Sequence, residues 1–138
     1  MKLFKIFTIL TVILNALILI GAGHGIAPFI FAEIFGLIGI FSNSNEINIT
    51  GNYDEKLIPI AILSLVFQTI LITTLFQKNL KKKKIFITCS AIALIILLLY
   101  LTKDFAKSNI DSMTLKSGIP FLISALILIF IVNKYNKV

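Results

Sequence analysis

The chain contains no arginine; all 13 of its basic residues are lysines. Without a guanidinium it cannot form the planar two-point clamps that grip phosphate or carboxylate. It has one cysteine, Cys89, which excludes an internal disulfide or a thiolate cluster. Set in an apolar run, Cys89 reads as a small buried hydrophobe. There is one histidine, His24. A single imidazole supplies at most one nitrogen ligand, so neither a zinc centre nor a bis-histidine haem within one chain is expected. Acids are scarce as well: Glu33, Glu46, Asp54, Glu55, Asp104 and Asp111 are all of them. None falls inside the four long apolar blocks; Glu33 alone is set in an apolar run, the shorter one at 26–41. The stretch GAGHG at 21–25 is no dinucleotide fingerprint, since no acid follows where a ribose would need one. No nucleophile elbow, paired catalytic acids or Ser–His–Asp layout is present. No metal and no cofactor is expected.

What the chain does have is apolar length. Of 138 residues 58% are hydrophobic, and the mean hydropathy is +1.02. The excess gathers in blocks without charge, the mark of membrane spans. A water-soluble domain of this size has too small a core to hide them. The expectation is an all-α integral membrane protein with one membrane domain. Four spans are read at about 4–23, 57–76, 85–101 and 117–133. The last is short, and Lys116 at its outer end can snorkel so that the helix begins a turn earlier. The first block has the outline of a signal peptide, but its apolar run is long for one, and it is read as a retained span.

Lysine placement orients the spans. With a cytoplasmic N-terminus, Lys2, Lys5, Lys78, Lys81, Lys82, Lys83, Lys84, Lys134 and Lys137 face inward. Lys56, Lys103, Lys107, Lys116 and every acid face outward. Lysine holds a segment on the cytoplasmic side, so the plasma (bacterial inner) membrane is expected, with both termini in the cytoplasm. A further span at 26–41 would turn KNLKKKK outward. That block is therefore read as an outer re-entrant or interfacial helix. Pro28 suits its first turn, the glycines before it permit a reversal, and Ala32, Gly36 and Gly39 form a close-packing face. The short connections imply an antiparallel four-transmembrane-helix bundle. In the outer loop, 42–56, Ile47 and Ile49 alternate with polar residues and allow a short strand or hairpin. The segment 102–116 reads as an outer loop.

Three groups of residues are candidates for function. Asn15, Ser64, Gln68 and Ser124 fall at similar depths and form a candidate intramembrane polar cluster, either as register-fixing hydrogen bonds or as the lining for a small solute. His24 and Glu33 form a candidate polar pair on the outer side, suited to proton handling, quinone or metal contact. Lys78 and Lys81–Lys84 lie against the inner headgroups and are candidates for anionic-lipid contact. The basic excess is explained by topology and not by nucleic acid. Expected partners are the lipid bilayer, including anionic headgroups, and other membrane subunits or further copies of the chain. Because the spans lack titratable groups, the leading expectation is a non-catalytic accessory or scaffold subunit of a larger membrane complex. The alternatives are a homo-oligomeric channel or transporter and, below it, a membrane redox or enzyme subunit using His24 and Glu33.

Overall fold

The computed structural model describes residues 2–22, 25–41 and 52–134. His24 and the strand or hairpin expected around Ile47 and Ile49 lie outside those residues. The described chain is mostly helical. In order it forms α1 (Lys2–Ala16), β1 (Leu19–Ala22), β2 (Gly25–Pro28), α2 (Phe29–Phe41), α3 (Tyr53–Thr73), α4 (Leu80–Leu101) and α5 (Asn109–Lys134). Of these, α3, α4 and α5 are long and apolar enough to cross a membrane; α1 and α2 are shorter apolar helices.

The first apolar block departs from the expected helix to residue 23. The helix ends at Ala16 and its last turn tightens, with Ile18 N–H bonded to Asn15 O at 3.3 Å. Beyond it, β-branched isoleucines alternate with residues leading into glycines, a composition that weakens a helix and suits a strand. The chain pairs with itself as an antiparallel hairpin, Leu19 opposite Pro28 and Ala22 opposite Gly25. The Phe29 N–H continues the pairing to Ile18 O at 2.8 Å. The open edge of β1 lies on α5. There the Ser117 hydroxyl accepts the Leu19 N–H at 3.0 Å, with Leu19 O and Thr114 O at 3.3 and 2.9 Å as its acceptors. Gly21 makes this approach possible, since a Cβ there would lie 2.7 Å from Ile110 Cγ2.

Helices α3, α4 and α5 start earlier than the hydropathy suggests because polar caps extend them. Glu55 reaches back to the Asn52 N–H at 3.2 Å at the head of α3. Asn79 Oδ1 accepts from Lys82 N–H at the head of α4. Ser108 Oγ accepts from Asp111 N–H at the head of α5. These are the paired devices that satisfy free N–H groups at helix starts. The expected 102–116 loop is accordingly half helix.

α1 packs on α5, α5 on α4, α4 on α3 and α3 on α2, with lesser contacts of α1 to α3 and α2. The core runs along α3, α4 and α5 through Ile60, Ala61, Leu71, Ala91, Leu94, Phe121, Ala125 and Leu128, and takes in Ile18, Ile20 and Phe29 from the hairpin region. α2 buries Phe29, Ala32, Glu33, Gly36 and Gly39. Its contacts with α3 run in opposite order along the two helices: Glu33 meets Gln68, while Gly36 faces Ile62 and Ile58.

Candidate functional site: a buried polar chain across three helices

α1 turns an unusual face inward. Its buried residues are Thr8, Thr11 and Asn15, whereas Leu3, Ile6, Ile9 and Ile13 are exposed. The two threonines donate to carbonyls one turn back, Thr8 to Phe4 and Thr11 to Phe7. Since the Thr11 proton is used there, Thr11 Oγ1 is the acceptor in its 2.8 Å contact with Ser124, whose O–H donates. This bond ties α1 to α5.

Asn15 begins a second chain. Its Nδ2 donates to Ser64 Oγ at 2.8 Å. Gln68 Nε2, one turn further along α3, donates to the same oxygen at 3.2 Å and to Glu33 Oε1 on α2. A hydroxyl has two lone pairs and one proton. With both lone pairs of Ser64 taken by amide N–H groups, its proton is left over, and Ser64 acts with Gln68 on the Glu33 carboxyl. The bond Glu33 receives is the Gln68 N–H, and both of these neighbours are neutral. It is 2% exposed, and Asn15, Ser64 and Gln68 are buried with it.

The structure therefore brings three of the four expected intramembrane residues, Asn15, Ser64 and Gln68, into one hydrogen-bonded chain. Ser124 is held separately by Thr11. Glu33 joins that chain with its carboxyl buried; it lies on α2, outside the four blocks read as spans. Its expected partner, His24, lies outside the described residues. Beside Asn15 and Ser64 is a void of about 10 Å³ walled by Ile18, Phe29, Ile60 and Leu98, room for roughly one water.

Two other polar regions lie at the ends of the bundle. At the head of α3 and α5 a wide cup of about 420 Å³ is lined by Tyr53, Glu55, Lys103, Asp104, Ser108 and Asp111. Tyr53 closes one side with a 2.8 Å bond to Thr114. Near it Lys56 is only 1% exposed, its ammonium 5.6 Å from the Tyr100 ring centroid, with Lys103 5.8 Å from the same ring. Sequence reasoning placed Lys56 in solvent; the sole hint was an aromatic residue near the end of the third block. At the opposite end Lys81–Lys84 occupy the first turn of α4 and Lys78 is exposed in the preceding connection. Lys83 stands 4.2 Å from the Phe4 ring centroid, which joins this patch to the start of α1. Among the described residues no group of three or more His, Cys, Asp or Glu side chains is placed to hold a metal ion.

No family model, no curated protein and no solved structure matches the chain.

Proposed function

We propose that this chain is a small non-catalytic integral membrane protein that crosses the bilayer four times and acts as an accessory or scaffold subunit of a larger membrane complex. The observation that carries the membrane part is the inversion of α1, apolar outward and polar inward. α2 shows the same pattern, exposing Ile30, Phe31, Ile34, Phe35 and Ile38 around a buried carboxyl. Water selects the opposite arrangement; lipid is compatible with this one.

Element lengths support four crossings. At 1.5 Å per residue α3, α4 and α5 measure about 31, 33 and 39 Å, against a hydrocarbon core of about 30 Å. α1 alone measures about 22 Å, and β1 adds about 13 Å at strand rise. Helix and strand together make the first crossing, and β2 and α2 form the re-entrant element. Paired strands satisfy most of their backbone groups, and Ser117 covers part of the open edge, which the membrane interior requires. The lysine bias then puts both termini in the cytoplasm of a bacterial cell. Four lysines at the positive end of the α4 dipole are unfavourable on their own; anionic headgroups offset that.

The accessory role is supported by how the buried polar groups are used. They bond to one another across helices, and the void beside them is too small for a solute. Purification in mild detergent tests the role: a stoichiometric partner or a stable self-assembly is the expected result. A monomer without partners in every mild condition refutes it. One observation favours the transporter reading instead, the carboxyl of Glu33 inside the bundle. Solute flux in liposomes that disappears in Gln68→Leu would establish that reading in place of the first.

A further inference from the structure

We propose that Glu33 is a proton-binding site inside the apolar body of the protein, held by Gln68 and Ser64 and tied to α1 through Asn15.

The argument begins with charge. An ionised carboxylate taken out of water needs a counter-charge or enough donors to replace its hydration. Glu33 has donors, and they are neutral. From α3 the groups that face it are Gln68 and Ser64; from α1 the chain ends in Asn15; β2, Gly25–Pro28, carries no titratable side chain. The charged residues of α3 are Asp54, Glu55 and Lys56. Even Lys56, the nearest in sequence, lies about 18 Å along the helix axis from Gln68. On α1, Lys5 lies about 15 Å before Asn15. None of these is among the groups that act on the carboxyl.

With no cation at hand among the described residues, the ligand that neutralises the group is a proton. The same neighbours accommodate both forms. Ionised, Glu33 accepts from Gln68 N–H, and the spare Ser64 proton can turn to it. Protonated, its hydroxyl can donate to the side-chain carbonyl of Gln68 once that amide turns over. A set of neutral groups able to donate or accept is what a reversible proton site needs. An alkali cation is the less suitable ligand. The 2.8 and 3.2 Å spacings to Ser64 Oγ are those of hydrogen bonds, which leaves no gap between them for an ion.

The inference rests on the membrane placement proposed above, not on the accessory role. Placement is tested first, by whether the chain leaves the membrane only with detergent. The proton site is then tested on the full chain in lipid nanodiscs with dicyclohexylcarbodiimide, an apolar reagent selective for protonated carboxyls. The acid O–H adds across one C=N bond: the carboxyl oxygen bonds the central carbon and the proton passes to nitrogen. Acyl transfer to nitrogen then leaves a stable N-acylurea, located by peptide mass spectrometry.

The expected result is label on Glu33 that falls as the pH is raised from mildly acidic to mildly alkaline, and none in Glu33→Gln. Removing a neighbour that favours the ionised form moves the midpoint to higher pH, as Ser64→Ala should. Infrared spectra of the unlabelled protein supply a check independent of variant folding. A protonated-acid carbonyl band should be present in the wild type and lost in Glu33→Gln. Three outcomes overturn the proposal: no label on Glu33 at any pH, label independent of pH, or label blocked by sodium at fixed pH. The last would assign the site to an alkali cation.

Discussion

Ser64→Ala is the substitution that most directly probes the buried polar chain, because one oxygen serves three partners. Ser64 Oγ accepts from Asn15 Nδ2 at 2.8 Å and from Gln68 Nε2 at 3.2 Å, and it acts on the Glu33 carboxyl. Ser124 is the natural control. It is also a buried serine in a long helix, but it makes a single interhelical bond, to Thr11. Side-chain hydrogen bonds between helices in a bilayer average about 0.6 kcal/mol and reach about 1.7. Ser124→Ala should therefore cost about 0.6 kcal/mol and Ser64→Ala about 2 kcal/mol. The gain in helix propensity on going to alanine is common to both and cancels in the difference. Equilibrium unfolding in bicelles, followed by far-ultraviolet circular dichroism, measures the pair. A double-mutant cycle of Ser64→Ala with Asn15→Leu should return a coupling of about 0.6 kcal/mol, the share of one bond. Equal costs for the two serines, or zero coupling with Asn15, would refute the assignment of Ser64 as the hub.

The remaining predictions concern packing. A Cβ on Gly118 would lie 2.7 Å from Leu98 Cδ2. In Gly118→Ala the overpacking, about 1–3 kcal/mol, should exceed the helix gain of about 1 kcal/mol, leaving the variant destabilised by about 1 kcal/mol. In a Leu98→Ala background the clash is gone, so the same substitution should stabilise. An unchanged sign across the two backgrounds, read by the same unfolding assay, contradicts the contact. Thr88 Oγ1 is buried on α4 without a hydrogen-bond partner. Thr88→Val removes an unsatisfied hydroxyl at nearly constant shape and should raise stability by about 1 kcal/mol; a loss of similar size would mean that the hydroxyl is bonded.

Long apolar helices were legible from hydropathy alone, and α3, α4 and α5 lie where the blocks predict. Their earlier starts were written in residues that hydropathy ignores: Asn52 with Glu55, Asn79, and Ser108 with Asp111, each a cap whose meaning is local and polar. The spacing of Ala32, Gly36 and Gly39 marked the face of α2 that turns inward. The residue beside that stripe, Glu33, suggests from sequence only an outer-side pair with His24, because a carboxyl in an apolar run is costly unless donors await it. Those donors sit on α3, 31 and 35 residues away in sequence. Only the contact between the two helices shows them. The hairpin was hidden for another reason. A short apolar run bounded by glycines has no period that separates a strand from the tail of a helix, and GAGHG was read as the end of one span and the start of a turn.

The hairpin is also what puts the carboxyl inside. By returning from Ala22 to Phe29 it delivers the start of α2 next to Ile18, one residue pair beyond the register of Leu19 with Pro28. α2 therefore begins at the level where α1 ends, and Glu33, one turn in, meets the Gln68 that Ser64 links to Asn15. A helix continued from Ala16 to Gly23 would carry the chain about 10 Å further along its axis before turning. α2 would then start at the rim, and Glu33 would be beyond reach of a side chain bonded to Ser64. The small residues of the turn region serve this geometry. Gly21 lets β1 lie against Ile110, and Gly36 lets α2 close on Ile62, where a Cβ would stand 3.0 Å away. A bulky residue at either position would push back the elements that bring Glu33 to its donors. Loss of the polar chain and loss of hairpin packing are thus one structural event, reached from different residues.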